Sequence, residues 1–291
     1  MQINEFNAQS VNKYQHEFST GNDRGSTPPS IKFIMTFFLA LLLSLGVKVP
    51  VKSLPLSEIE ARGSLIVGVK ENLRPLGFRD DQGNLQGLEI DIARRLAEEL
   101  LGDSKNVQLI PVLNQNRLQL VMENQVDIVI ASVSVTSSRQ RLVDFSYHYF
   151  LSGVGIIVKK SNVSNRNYTN VDRWQEKIGV LANSRSIAEL QYNSPNLQLV
   201  TVESYQQAYQ MLEKGEIQGF AGDLSVLIGW QQEYPQYQVL PRIWGGYPLA
   251  IVLPKGRQYQ SLRDEVNRIV REMKADGWLK ERIEYWQLNI N

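Results

Sequence analysis

The sequence predicts an α/β protein made of two similar units in series, each a mostly parallel sheet flanked by helices. Three observations predict it. Short apolar, β-branched runs alternate with amphipathic stretches of helical period between residues 64 and 253. A β-α-β-α-β order occurs once before residue 150 and starts again after it. The chain has 291 residues with 43% hydrophobic side chains, enough for one or two domains with a real core.

The first unit opens at 64–69 (SLIVGV), a short apolar run ending near a turn, the mark of a buried strand. In 87–102 (GLEIDIARRLAEELLG), Leu88, Ile92, Leu96 and Leu100 recur at helical spacing and Gly102 stops the helix. A strand at 107–112, a helix at 115–123 and a strand at 126–131 complete the unit. The pattern restarts with a β-branched strand at 154–158. A strand at 178–181 leads to a helix at 186–192. A strand at 197–202 leads to a helix at 205–214, stopped by Gly215, and a strand at 218–221 to a helix at 224–233. A late strand at 247–253 precedes an amphipathic helix at 261–274, with Val266, Ile269, Val270 and Met273 inward, and a last helix at 277–285. Ligands of open α/β sheets bind outside the carboxyl ends of the strands, so the loops there are the places to look for function.

Composition removes most chemistries. Lys plus Arg is 31 and Asp plus Glu is 30, a net charge of +1, which lacks the basic excess of a nucleic-acid binder. With no cysteine there is no thiol catalysis, Cys-ligated zinc, iron–sulfur cluster, disulfide or lipidated Cys. His16 and His148 are the only histidines, which nearly excludes a Ser-His-Asp triad or a multi-His metal site.

The amino terminus reads as separate from the fold. Residues 1–30 are polar, rich in Asn, Gln, Ser and Thr, and aperiodic, the composition of a disordered extension. Lys32 then precedes about 15 uncharged, mostly apolar residues ending at Val47, the length of a long signal-peptide core. A comfortable membrane span needs about 20. Residues 31–53 are thus read as an export signal, with an uncleaved anchor over 33–47 as the rival. No clean cleavage site follows, and the long leader leaves room for a start codon further downstream. A buried core helix is discounted because no partner pattern surrounds the segment.

The most informative stretch is 126–150. After the strand, Ser132, Ser134 and Thr136 put three hydroxyls within five residues, and Arg139 follows. A guanidinium beside hydroxyls and backbone N–H groups can seat a carboxylate bidentately. An ordinary surface loop carrying an ordinary Arg is the competing reading of the residues alone.

Val126-Asp127, Ser132-x-Ser134-x-Thr136-x-x-Arg139, Asp144-Phe145-Ser146 and Tyr149 together resemble the signature of the family 3 extracellular solute-binding proteins, the polar amino-acid-binding proteins of ABC importers. Other parts agree in order. Gly63-Ser64-Leu65-x-Val67-Gly68 resembles that family's opening strand. Gly83-x-Leu85-x-Gly87-Leu88-Glu89-x-Asp91-Ile92-Ala93 resembles the start of its first long helix. Leu212-x-x-Gly215 through Gly219 to Asp223 resembles its second-lobe strand, and Gly277 to Trp286 its terminal helix. The resemblance covers about 56–288.

The resemblance implies a two-lobed periplasmic-binding-protein-like (type II) fold that closes on its ligand by a hinge. Lobe one would be 56–152 plus 247–291 and lobe two 153–246, with crossings near 153–156 and 247–250. It implies that Arg139, with Ser132 and Ser134, binds an α-carboxylate. In lobe two, Asn183-Ser184-Arg185-Ser186 stands where the family has a Gly-Thr loop, and only Ser186 carries over cleanly. Asp223 would take the α-ammonium; the alternative is a helix N-cap, and one carboxylate can serve as both.

Asn114-Gln115-Asn116-Arg117 resembles the members that bind glutamate and aspartate, and Lys70 sits where those members carry a basic side chain. With Arg74 and Arg185, these cations predict an acidic ligand, glutamate or aspartate ahead of glutamine and asparagine. Solvent exposure is the ordinary alternative for any one of them. Glu71, Glu89 or Asp91 could also pair them and widen the specificity. Leu76 replaces the aromatic that usually stacks on the ligand, Phe78 is assigned to the core, and His148 is a hinge-proximal surface residue.

The function implied is a periplasmic, monomeric, cofactor-free binding protein that delivers its amino acid to permease subunits in the inner membrane. Two alternatives are a membrane-tethered sensor and, further off, a dehydratase on the same fold, for which Glu89 and Asp91 are the nameable acids.

Overall fold

The computed structural model describes residues 55–163, 174–182 and 184–289, all within one compact unit, Lys52–Asn291. The predicted polar extension and the predicted export or anchor segment lie outside the described residues. Among the described residues no helix is long and apolar enough to cross a membrane.

The chain opens with helix α1 (Leu56–Arg62), ended by Gly63 in the left-handed conformation. Strand β1 (Leu65–Val69) is buried along its whole length. Leu65, Val67 and Val69 face one hydrophobic cluster while Ile66 faces another, the two-sided burial of a parallel-sheet interior. Three short strands follow, β2 (Asn72–Leu73), β3 (Gly77–Arg79) and β4 (Leu85–Gln86), which form their own antiparallel sheet.

Helix α2 (Leu88–Leu101) buries Leu88, Ile92, Ala93 and Leu96 and stops at Gly102. Its first turn demands Gly87: φ is +125°, and a Cβ there would lie 2.3 Å from the Leu76 carbonyl oxygen. Strand β5 (Val107–Pro111), helix α3 (Arg117–Met122), strand β6 (Ile128–Ile130) and the short helix α4 (Ser137–Gln140) complete this part.

Strand β7 (Asp144–Lys159) is 16 residues long and leads into the short helix α5 (Lys160–Val163). Next come β8 (Lys177–Leu181), α6 (Arg185–Asn193), β9 (Gln198–Val202), α7 (Tyr205–Lys214), β10 (Gly219–Asp223), α8 (Leu224–Glu233) and β11 (Tyr237–Val239). Strand β12 (Trp244–Leu253), helix α9 (Gln260–Ala275) and helix α10 (Trp278–Tyr285) end the fold. Val266, Ile269, Val270 and Met273 of α9 are buried, as its period predicts.

The large sheet has the order β5-β1-β6-β12-β7-β10-β8-β9, with β11 on β7. β1 is parallel to β5 and β6, and β8 is parallel to β9 and β10. Between these two parallel halves run β12 and β7, antiparallel to each other. Near its start β7 pairs with the end of β12 (Leu253↔Asp144); near its end it pairs with β10 and β11 (Gly219↔Val158, Gln238↔Val158). The mixed α/β architecture is thus as the sequence predicts, except that its centre is an antiparallel pair.

Two sequence motifs turn out to be braces. Asp127 is fully buried; its Oδ2 accepts the Ile66 N–H at 2.8 Å and the Arg62 guanidinium, tying β6 to β1 and α1. Asp91 accepts the Trp286 indole N–H at 2.8 Å, tying α2 to the carboxyl terminus. Phe78 is core, 5% exposed and edge-on to Trp286.

Candidate functional site

A cavity of about 220 Å³ lies where the carboxyl ends of β6, β8 and β10 meet the crossing strands β7 and β12. At about 30 Å³ per water it has the scale of one small polar molecule.

One side is the loop after β6. Ser132 lines the cavity with φ +53°, a left-handed conformation rare for serine. Its N–H donates to Glu89 Oε1 at 2.7 Å. Ser134, also on the wall, bridges to Leu249 of β12. Thr136 caps α4 by accepting the Arg139 N–H at 3.3 Å, and this tight turn brings the Arg139 side chain back over Ser134. Arg139 Nη1 donates to the Ser134 carbonyl at 2.8 Å and hydroxyl at 2.7 Å. Arg139 forms no ion pair among the described residues, and burial, then the charge of Arg185, lowers its pKa.

The opposite side is built from β8, α6 and β10. Ser184, Arg185 and Ser186 line the cavity at the amino end of α6, where unpaired N–H groups favour an anion. The Ser184 hydroxyl is buried without a hydrogen-bond partner among the described residues. The Arg185 guanidinium lies over the Tyr247 ring at 4.7 Å. Asp223 lines the cavity and also caps α8: its Oδ1 accepts the Ser225 N–H at 3.0 Å and the Ser225 hydroxyl at 2.6 Å. Capping thus leaves Asp223 on the cavity wall. Tyr247 donates to its Oδ2, and Ser152 of β7 lies 3.3 Å from its Oδ1.

Of the ten residues singled out from sequence, five line the cavity: Ser132, Ser134, Arg185, Ser186 and Asp223. Arg139 reaches it through Ser134. The other four are not on its wall. Lys70, 7% exposed, donates to the Val112 carbonyl at 3.2 Å. Arg117, 8% exposed, lies behind Ser132 and donates to the Ala131 and Ser132 carbonyls. Arg74 lies over the Phe78 ring at 3.9 Å and reaches Glu233 at 4.0 Å. Asn114 is exposed in the loop before α3.

Sequence reasoning missed the aromatic wall. With Leu76 fully buried, Tyr205 and Tyr247 supply it. Burial, then the charge of Asp223, pushes the Tyr205 hydroxyl up to about 12 and raises that of Tyr247 strongly, so both are neutral donors at ordinary pH. Tyr247 sits at the predicted second crossing and Tyr205 opens α7, three residues past the Val202 end of β9; those positions were the available signals. Glu89 and Asp91 are off the wall: Glu89 is fully buried under Ser132, and Asp91 holds Trp286.

The cavity therefore sets the Arg139 guanidinium, held on Ser134, against the Asp223 carboxylate, with the α6 amino end on the Asp223 side and neutral hydroxyls along the wall. That arrangement suits a zwitterion, carboxylate on one side and ammonium on the other.

The family model for bacterial extracellular solute-binding proteins, family 3, matches residues 65–289. The chain is 28% identical over 232 residues to the ABC transporter glutamine-binding protein GlnH of Bacillus subtilis (strain 168), covering 79% of this chain and 84% of that one. It is 31% identical over 199 residues to a glutamine-binding protein of Geobacillus stearothermophilus, covering 67% and 74%. Among solved structures, an ancestral cationic amino acid solute binding protein (AncCDT-1) superposes with a TM-score of 0.67 at 28% identity, covering 79% of this chain and 98% of that one.

Proposed function

Because the chain belongs to the family 3 bacterial extracellular solute-binding proteins, we propose that it captures a polar L-amino acid outside the cytoplasmic membrane and delivers it to the permease of an ABC importer. The observation that carries this reading is the opposition of Arg139, held on the cavity-lining Ser134, and Asp223. In this reading Arg139, Ser132, Ser134 and the α6 amino end with Ser186 take the α-carboxylate, and Asp223 takes the α-ammonium. Arg185, Tyr205 and Tyr247 are left for the ligand side chain.

The ligand we favour has a neutral polar side chain, glutamine or asparagine ahead of glutamate or aspartate. The acidic expectation rested on Lys70, Arg117, Arg74 and Arg185, and three of these are engaged away from the cavity wall. The names of the two relatives, both glutamine-binding, point the same way. A second reading, glutamate or aspartate, is favoured by Arg185, which lines the cavity and forms no ion pair among the described residues. Isothermal titration with Gln, Asn, Glu, Asp, Cys and Arg separates the readings, and binding of none of them rejects both.

The lobes we assign are 56–152 plus 247–291 and 153–246, closing about β7 and β12 as the ligand bridges them. Small-angle scattering with and without ligand tests closure. No reaction is assigned: of the acids a dehydratase would call on, Glu89 is buried beneath Ser132 and Asp91, half-buried, holds Trp286, and turnover of prephenate would reverse that view. Release into the periplasm and tethering by 33–47 are separated by sequencing the amino terminus of the mature protein.

A further inference from the structure

Glu89 has no solvent exposure, yet it lies directly behind the cavity wall. Its Oε1 accepts the Ser132 N–H at 2.7 Å and the Tyr149 hydroxyl at 2.5 Å, while its Oε2 has no hydrogen-bond partner among the described residues. Arg117 takes the carbonyls of Ala131 and Ser132. The turn that presents Ser132 is thus held by an anion at its amide and a cation at its carbonyls.

The charged groups facing Glu89 are Lys70, at the end of β1, and Arg117, at the start of α3; Tyr149 of β7 faces it as a neutral hydroxyl. A lone carboxylate this deep would be strongly disfavoured, and two cations offset the cost. The relation also runs the other way. Without Glu89, Lys70 and Arg117 would be two like charges facing each other, with Glu71 left beside Lys70 and the carboxylate that faces Arg117 gone.

We propose that Glu89 is the positioning and charge-setting residue of the ligand site: it holds Ser132 in its left-handed turn and, as internal counter-ion of Lys70 and Arg117, makes the cavity prefer a neutral polar side chain to an acidic one. The proposal rests on the amino-acid reading above and names what sets its selectivity. Glu89 touches no ligand; it acts through Ser132 and through its charge. Removing that charge leaves the field at the cavity more positive, which strengthens an acidic ligand selectively.

The test is the affinity for L-glutamine and L-glutamate of the wild type, Glu89→Gln and Glu89→Leu, measured by isothermal titration across mildly acidic to mildly alkaline pH. Glu89→Gln keeps an oxygen acceptor for both donors and loses the charge, its NH2 taking the place of the unpartnered Oε2. Its glutamine affinity should stay within about threefold while its glutamate affinity rises about tenfold. Glu89→Leu leaves the Ser132 N–H unpaired and should weaken both ligands by about tenfold or more.

Burial pushes the Glu89 carboxyl up, against the pull of Tyr149, Ser132, Arg117 and Lys70, so it takes up a proton before an ordinary carboxylate does. In the wild type the preference for glutamine should therefore shrink as pH falls, while in Glu89→Gln it stays flat. This profile needs no variant and decides the matter if a variant fails to fold. A wild-type preference that does not move with pH overturns the proposal, as does an unchanged preference in Glu89→Gln. Equal loss of binding in both variants would make Glu89 a packing residue only. Wild-type protein that binds neither amino acid overturns the amino-acid reading and this inference with it.

Discussion

The Arg185 guanidinium lies over the face of the Tyr247 ring, 4.7 Å from its centroid, and the hydroxyl at the other end of that ring donates to Asp223. One side chain on β12 thus contacts both a cation and the anion of the cavity, which opposes its charges without letting them pair. The same hydroxyl lies 3.0 Å from the Gly153 carbonyl of β7, so the crossing strands are fastened at this point too. Tyr247→Phe keeps the ring under Arg185 and loses both hydrogen bonds. Amino-acid affinity should fall about tenfold, the value of a hydrogen bond to a charged group. Tyr247→Leu, which also removes the ring, should lose more. Titration calorimetry reads both.

Arg139→Ala should weaken binding by at least about thirtyfold, since a ligand carboxylate then enters the cavity without its cation. Arg139→Lys keeps the charge but not the planar guanidinium, whose Nη1 now donates to both the carbonyl and the hydroxyl of Ser134 and whose other nitrogens complete a fork for a carboxylate, and should recover only part of the loss. Affinity within about threefold of wild type in Arg139→Ala would move the carboxylate site elsewhere.

Asp223 carries two tasks that substitution separates. Asp223→Asn keeps an N-cap oxygen for the Ser225 N–H but gives up the charge, so binding should fall about thirtyfold with little change in melting temperature. Asp223→Ala loses the cap as well, about 1 kcal/mol, and its melting temperature should fall by about 2–4 °C. Paired calorimetric and thermal measurements check it; an Asp223→Asn variant that binds normally would leave Asp223 a cap alone.

Arg74→Ala and Asn114→Ala should leave amino-acid affinity within about threefold, because neither side chain is on the cavity wall. Arg74→Ala should instead lower stability slightly, through lost stacking on Phe78. A tenfold change in affinity from either variant would return that residue to the binding site.

Glu89 also imposes a pH dependence on stability. Its folded-state carboxyl is pushed up by burial, whereas in the unfolded chain it titrates near the ordinary value of about 4.3. Between those two values the native chain holds a proton that the unfolded chain has released, so stability falls as pH rises through that window. Glu89→Gln does not titrate. The melting temperature of the wild type relative to Glu89→Gln should therefore drop as pH is raised from acidic to alkaline, and a difference constant with pH would refute it.

What could be read in advance follows from how local each signal is. The helices at Leu88–Leu101 and Gln260–Ala275 carry long apolar periods and glycine or polar stops, and both form where predicted. The helix at Leu56–Arg62 buries only Ile59, too little period to register. Strands of two or three residues, such as Asn72–Leu73, have no period to read. The first half of β7 reads DFSYHYF, whose buried and exposed positions do not alternate, so only its β-branched second half stood out. For the site, residues close in sequence were legible: Thr136 fixes the turn that returns Arg139 to Ser134, three and five residues away. The partners of Lys70 were not legible, because the Val112 carbonyl and the Glu89 charge are brought to it by tertiary packing. Tyr247 was missed as a site residue for the same reason, since its partners Asp223 and Gly153 are 24 and 94 residues away.

The place of β12 in the sheet governs how the chain can assemble. Strands β6 and β7 follow each other in sequence with only a short loop and one helical turn between them, yet they are not neighbours: β12 lies between them, with Val252 opposite both Val129 and Phe145. During synthesis the amino-terminal strands therefore emerge with a slot one strand wide, and its filler arrives about a hundred residues later. Until then two apolar edges stand unpaired, open to another chain. The halves cannot mature as independent beads on a string; a ribosome-bound fragment ending before Trp244 should be protease-sensitive and prone to self-association, and the last strand to enter locks both halves in one step.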